Sequence, residues 1–111
     1  MVEHRPILLD RTYGALSHSV RRELLGALRV GPATVSDLAE PFDISLAAVS
    51  KHLGVLEEAG LISRVQAGRT RVVTLEPRPL ADARGWIDTY RTSWEERLDA
   101  LEAHLTEGRR S

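Results

Sequence analysis

Residues 34–75 read TVSDLAEPFDISLAAVSKHLGVLEEAGLISRVQAGRTRVVTL, and this stretch decides the fold. Thr34 offers a hydroxyl N-cap and Asp37 an acid three residues later, so a helix opens at Thr34 with Leu38 and Ala39 facing inward. Pro41 has no N–H to donate, which keeps that helix short. Phe42-Asp43-Ile44 makes a tight connection. Ser45 caps a second helix, whose apolar stripe is expected at Leu46, Val49, Leu53 and Leu56. Gly60 ends it as the residue that tolerates a left-handed backbone. Two apolar, partly alternating runs follow, Leu61–Val65 and Arg71–Leu75, around a Gly-containing loop at Gln66–Thr70. They predict a β-hairpin.

The flanks extend this reading in both directions. Upstream, short helices fit Asp10–Leu16 and Val20–Arg29. The second has Ser19 as its expected N-cap, buries Leu24, Leu25 and Leu28, and stops at Gly31-Pro32. Downstream, Pro77 and Pro79 break the strand and a long helix fits Leu80 to about Leu105. Its spine is Leu80, Ile87, Tyr90, Trp94, Leu98, Leu101 and Leu105, with Trp86 beside it. Steps of three and four residues suit a helix packed on another helix. The last four residues, Gly108 to Ser111, are expected to fray. One domain, residues 1–111, is expected: helix-turn-helix at 34–60, wing hairpin at 61–75, and C-terminal helix at 80–107. The fold class is mainly α with a small β-hairpin.

A short helix, a turn and a second helix form the motif that reads a DNA major groove. The second helix must pack one face and offer small or polar groups on the other. Ala47, Ala48, Ser50 and Lys51 meet that requirement: small side chains let the backbone approach base edges, and Ser and Lys can donate to bases or phosphates. Ser45, at the helix start, is placed near a phosphate. His52 is expected near a phosphate, with a partly structural role. The hairpin adds Arg64 at its base and Arg69 and Arg71 near its tip, where guanidinium groups reach phosphates or the minor groove. Ser36, Gln66 and Thr70 complete the candidate DNA-binding set. The competing reading of these residues is a solvated amphipathic helix followed by a solvated turn.

Charge is distributed in the same sense. Net charge is −1. Residues 45–75 carry four basic residues (Lys51, Arg64, Arg69, Arg71) against two acidic ones (Glu57, Glu58). Residues 76–107 carry four arginines against eight acids. A polyanion is drawn to the middle of the chain and repelled by its last third.

The stretch Val49-Ser50-Lys51-His52-Leu53, then Leu56, then Ala59-Gly60-Leu61-Ile62 resembles the helix-turn-helix of the ArsR/SmtB family of bacterial transcriptional repressors. The resemblance spans nearly the whole chain. Ala15-Leu16 and Arg21-Arg22-Glu23-Leu24-Leu25 are similar to the family's early helices, and Gly68-Arg69 to its wing. Ser17-His18-Ser19-Val20 departs from the family's usual small-acid-Pro-Thr turn. Trp86, Tyr90, Trp94, Glu95, Arg97, Leu98, Leu101 and Leu105 look like the last helix of a metal-free branch. The resemblance implies a winged helix-turn-helix repressor that dimerises through its first and last helices, with Leu9 and Tyr13 joining Trp86, Ile87, Tyr90, Trp94, Leu98, Leu101 and Leu105 at the interface.

The aromatic seam supports a dimer independently, because a single layer of short helices cannot easily cover it. The alternative is that the helix folds back on its own domain. A dimer sets two reading helices about 34 Å apart, one turn of B-DNA, on an inverted repeat.

Other classes fare less well. There is no cysteine, hence no disulfide framework or thiolate metal site, and this suits a reducing cytoplasm. The start, Met1 to Pro6, is polar, and Ile7-Leu8-Leu9 is too short for a signal peptide core. No apolar run approaches the roughly 18 residues of a membrane span. A soluble cytoplasmic protein is expected. The resemblance implies that metal-sensing members carry imidazoles on the last helix where this sequence has Tyr90 and Asp99. The carboxylates Asp88, Asp99 and Glu102, with only the lone His104 nearby, make a poor zinc site, so a metal-sensing repressor is disfavoured and no metal or cofactor is expected. No Gly-rich phosphate loop or paired acids argue for an enzyme. A winged helix that binds protein remains as a second class, and a small-molecule effector between the helices stays open.

Overall fold

The computed structural model describes residues 6–110, with side chains from 8 to 108. The polar start at 1–5 and the final serine lie outside the described residues. The elements run α1 (Pro6–Leu16), α2 (Ser19–Leu28), β1 (Ala33–Thr34), α3 (Val35–Ala39), α4 (Leu46–Glu58), β2 (Ile62–Ala67), β3 (Thr70–Leu75) and α5 (Arg78–Arg110).

Most element boundaries have a local chemical cause. Thr34 Oγ1 accepts from the Asp37 N–H at 3.1 Å, and Ser45 Oγ from the Ala48 N–H at 3.0 Å, so both expected hydroxyl caps form. At the other end of α4, the Leu61 N–H donates to the Leu56 carbonyl and the Gly60 N–H to that of Glu57. This is a Schellman closure, and Gly60 supplies its left-handed residue with φ 76°. α2 departs from expectation: His18, not Ser19, caps it, with Nδ1 accepting from the Val20 N–H at 3.2 Å.

α1 begins at Pro6, four residues before the expected start, because a proline is well suited to a first helical position. Its last carbonyls have no glycine cap. Arg21 donates to Ala15 O at 2.7 Å and to Gly14 O at 3.1 Å, and Arg22 to Leu16 O at 2.7 Å. Two cations at a helix C-terminus also oppose its dipole.

The core lies where α1, α2, α3 and α4 meet the sheet. Leu24, Leu28, Val49, Leu53, Leu56, Leu61 and Val73 are fully buried there, with Leu25 and Leu38 beside them. Leu46 is a correction. The helical stripe placed it inside, yet it is 54% exposed. α3 has five residues and is too short to cover the first turn of α4.

The sheet has strand order β1-β3-β2, all antiparallel. β1 was not anticipated; its two residues pair Ala33 with Val73 and Thr34 with Val72. The hairpin is tighter than the expected five-residue loop. Ala67 pairs with Thr70, leaving Gly68 and Arg69 as the turn. Gly68 has φ 63° and among the described residues no non-glycine has positive φ, the sign pattern of a type II′ turn.

α5 starts two residues before the expected Leu80 and continues through Gly108 to Arg110, where a frayed tail was expected. Tyr13 Oη donates to Ala83 O at 3.1 Å, and its ring meets Trp86 edge-on at 5.7 Å, so α1 holds the first turns of α5. The rest projects. The radius of gyration is 19.9 Å, against about 13 Å for a compact domain of this length.

Candidate nucleic-acid interface

An open concavity runs between the starts of α3 and α4 and the wing. It is lined by Thr34, Val35, Ser36, Leu46, Ala47, Ser50, Arg64, Arg69, Thr70 and Arg71. Seven of the twelve candidate DNA-binding residues therefore converge on one surface. Three lining residues were missed by sequence reasoning: Thr34, Val35 and Leu46. Their apolar or capping character disguised them, and only the shortness of α3 could have exposed Leu46.

Strand register explains how the wing turns a packing face into a polar clamp. Side chains two apart share a face, and directly paired residues share it across strands. Ile62 pairs with Leu75, Arg64 with Val73, and Gln66 with Arg71. One face thus passes from buried Ile62 and Val73 at the base to Arg64, Gln66 and Arg71 toward the tip. The Gln66 side-chain amide donates to Gly68 O at 3.0 Å, and its oxygen accepts from Arg71 Nε at 3.4 Å. Thr70 Oγ1 donates to Ala67 O at 3.0 Å. Gln66 and Thr70 therefore shape the turn that presents the arginines.

Arg64 is placed differently from expectation. It lies along the flank of α4, where Ser50, Gly54 and Glu57 follow at helical spacing. It donates to Glu57 Oε1 from Nη2 at 2.9 Å and from Nε at 3.2 Å, and to Ser50 Oγ at 3.4 Å. Its side chain is only 13% exposed. Arg64 docks the wing on α4 rather than standing free at its base.

The outer face of α4 carries Ala47 and Lys51, both exposed, with Ala48 half-buried beside them. Among the described residues, neither the Lys51 nor the Arg69 side chain makes a hydrogen bond or ion pair. These two cations are at liberty to meet a ligand. Ser36 is exposed on α3; the Ser45 hydroxyl is committed to its cap. His52 turns away from the concavity. Its Nδ1 lies 3.2 Å from Arg21 Nη1, and its ring sits 4.4 Å from that of His18. Burial holds its pKa below the usual 6.5, and His18, Arg21 and Lys51 push the same way.

On α5, the expected interface residues form an exposed apolar seam: Trp86, Ile87, Tyr90, Trp94, Leu98, Leu101 and Leu105, with Trp94 60% exposed. Tyr13 and half-buried Leu9 lie on α1; Tyr13 packs on α5 of its own chain. Among the described residues no three His, Asp or Glu side chains cluster as metal ligands, and Asp88 is paired with Arg84 and Arg91. No described helix is long and apolar enough to cross a membrane.

The order of elements, the convergence on α4 and the wing, and two uncommitted cations describe a DNA-reading head. Comparison with known proteins agrees. Residues 16–65 match a helix-turn-helix domain family. The chain is 40% identical over 83 residues to the HTH-type transcriptional regulator Rv2034 of Mycobacterium tuberculosis, covering 75% of this chain and 78% of that one. It is 33% identical over 79 residues to the transcriptional repressor SdpR of Bacillus subtilis, covering 71% and 88%. The crystal structure of the ArsR family transcriptional regulator RHA00566 superposes with a TM-score of 0.79 at 37% identity, covering 85% of this chain and 97% of that one. The chain belongs to the ArsR family of winged helix-turn-helix proteins, and it is a DNA-binding transcriptional regulator rather than an enzyme.

Proposed function

We propose that the protein works as a homodimeric repressor on an inverted-repeat operator. The observation that carries the dimer is the seam on α5. Seven large apolar side chains from Trp86 to Leu105 stand exposed along one helix. Such a continuous patch marks an interaction surface, and a two-fold partner covers it with an identical one. The acids that flank the seam keep DNA away from it. Repression is favoured by the relative named as a transcriptional repressor.

In this reading residues 34–60 enter the major groove, residues 61–75 clamp the adjacent backbone, and residues 80–107 pair the two heads. Ala47, Ala48, Ser50 and Lys51 face base edges, with Ser36 and the start of α4 beside the phosphates. Arg69 and Arg71 hold the flanking backbone through the wing. Footprinting on the promoter of the protein's own gene, at several salt concentrations, tests this. Two protected half-sites one helical turn apart are expected, with log affinity falling by about 0.9 per unit of log salt for each phosphate neutralised. A single unsymmetrical footprint or salt-independent binding overturns it.

A further inference from the structure

We propose that Arg21 and His52 form a proton-sensitive brace that fixes the reading helix: with His52 neutral the guanidinium joins α4 to the end of α1, and with His52 protonated the joint opens and DNA affinity falls. The inference rests on the family's DNA-binding function and assigns Arg21 and His52 as positioning residues for it.

The geometry is specific about proton positions. A guanidinium only donates, so the Arg21 Nη1 to His52 Nδ1 contact at 3.2 Å requires Nδ1 to be the acceptor and the ring to be neutral. The same guanidinium donates to Ala15 O and Gly14 O. One side chain of α2 thus ties the last turn of α1 to the middle of α4. α1 in turn carries α5, through Tyr13 on Ala83 and Trp86. His18 lies against His52 at 4.4 Å and also accepts through Nδ1, from the Val20 N–H.

The groups facing His52 are all basic. They are His18 at the start of α2, Arg21 within α2, and Lys51 on α4 itself; no acid lies among them. Protonation turns the accepting nitrogen into a donor aimed at a guanidinium, and adds a cation beside these groups. Burial, the largest cause, and the three basic groups depress the His52 pKa below 6.5. The unfolded chain therefore takes up this proton first. The stabilisation from neutral His52 is fully present above pH 6.5. It is lost as pH falls from that value through the folded pKa.

The opposite sign marks the competing role. A His52 that touched a phosphate directly would gain DNA affinity on protonation. The direction of the pH effect separates a brace from a contact.

The test compares wild type with His52→Asn and His52→Ala. The probe is a fluorescent duplex enriched on the wild-type protein from a random-sequence pool. Affinity is measured at fixed salt between pH 8 and about pH 5, across the range in which histidine titrates. Thermal melting is recorded at each pH. Asparagine keeps a side-chain oxygen that accepts from Arg21 and cannot titrate. Relative to His52→Asn, wild-type affinity is expected to fall as pH drops, by about tenfold per subunit for each unit below the folded pKa. His52→Ala is expected to bind several-fold more weakly than His52→Asn at pH 8. A wild-type affinity that rises relative to His52→Asn as pH falls overturns the brace in favour of a phosphate contact. Equal pH profiles for the two proteins overturn any role for the His52 proton. Should His52→Ala not fold, Arg21→Lys replaces it: lysine keeps the charge but cannot serve α1 and His52 together, and wild-type affinity in that variant overturns the proposal. Failure to bind any duplex by the wild type would instead count against the DNA-binding function itself.

Discussion

Arg64 on β2 and Glu57 on α4 meet at 2.9 Å, with the arginine nearly covered and the glutamate 41% exposed. This pair joins the wing to the reading helix, and the guanidinium adds a bond to Ser50 in the previous turns of α4. Glu57→Gln removes the charge and keeps the shape. A half-exposed pair of this kind is worth about 1 kcal/mol or less, so urea unfolding should shift only slightly. Hydrogen exchange should show more: amides of the turn at Gly68 and Arg69 should exchange faster once the wing is less firmly docked. Unchanged exchange there would mean that backbone pairing alone holds the wing.

Lys51 and Arg69 should behave differently from Arg64. Both are exposed, and among the described residues neither side chain makes a hydrogen bond or ion pair. Lys51→Ala and Arg69→Ala should leave thermal melting within about 0.5 kcal/mol of wild type, as surface substitutions do. Each should weaken DNA binding and lower the slope of log affinity against log salt by about 0.9 for each subunit bound. A variant that binds as wild type at moderate salt has lost no phosphate contact.

Much of this architecture was legible because its signals are local. Thr34 and Ser45 cap their helices through bonds three residues long, Gly60 closes α4 from within one turn, and Val49, Leu53 and Leu56 follow a helical period. Most of the misread features depend on distant partners. Leu46 fits the same period but has nothing above it, since α3 ends too soon. β1 is two residues long and exists only because β3 pairs with it. His18 takes the cap from Ser19 through a ring nitrogen, a less common donor-acceptor pairing than a hydroxyl cap. Within the candidate site, residue types were readable but their assignments were not. Arg64, Arg69 and Arg71 look alike in sequence, and only the strand register and Glu57 across the gap distinguish a docking arginine from an uncommitted one.

Gly60 offers a clean test of backbone conformation against packing. Its φ of 76° lies in the left-handed region, while an added Cβ would stand 3.7 Å from Pro79 Cγ, an ordinary contact. Gly60→Ala should therefore destabilise by about 1–2 kcal/mol through backbone strain alone. Gly26→Ala is the control: nothing lies within 4 Å of its Cβ, and it sits inside α2. Alanine there should stabilise by about 0.5–1 kcal/mol. Opposite shifts in melting temperature are the expected outcome, and a neutral Gly60→Ala would mean the α4 closure relaxes without cost.

Trp94 tests whether the seam on α5 is an interface. Its ring is 60% exposed in the single chain and has no ring partner among the described residues, whereas Trp86 packs on Tyr13 and Tyr90. A residue that stabilises only a dimer should leave the isolated chain unaffected when removed. Trp94→Ala should thus shift sedimentation from dimer to monomer at concentrations where wild type stays paired. Truncating a buried Trp costs about 3–5 kcal/mol, which at 1.4 kcal/mol per decade weakens association by about two to four orders of magnitude for each ring lost. Far-ultraviolet dichroism of the monomer should stay helical, because Leu24, Leu53 and Val73 form a core without Trp94. DNA affinity should fall with dimer content, and raising protein concentration should recover it. A Trp94→Ala protein that sediments as a wild-type dimer places the interface elsewhere on the chain.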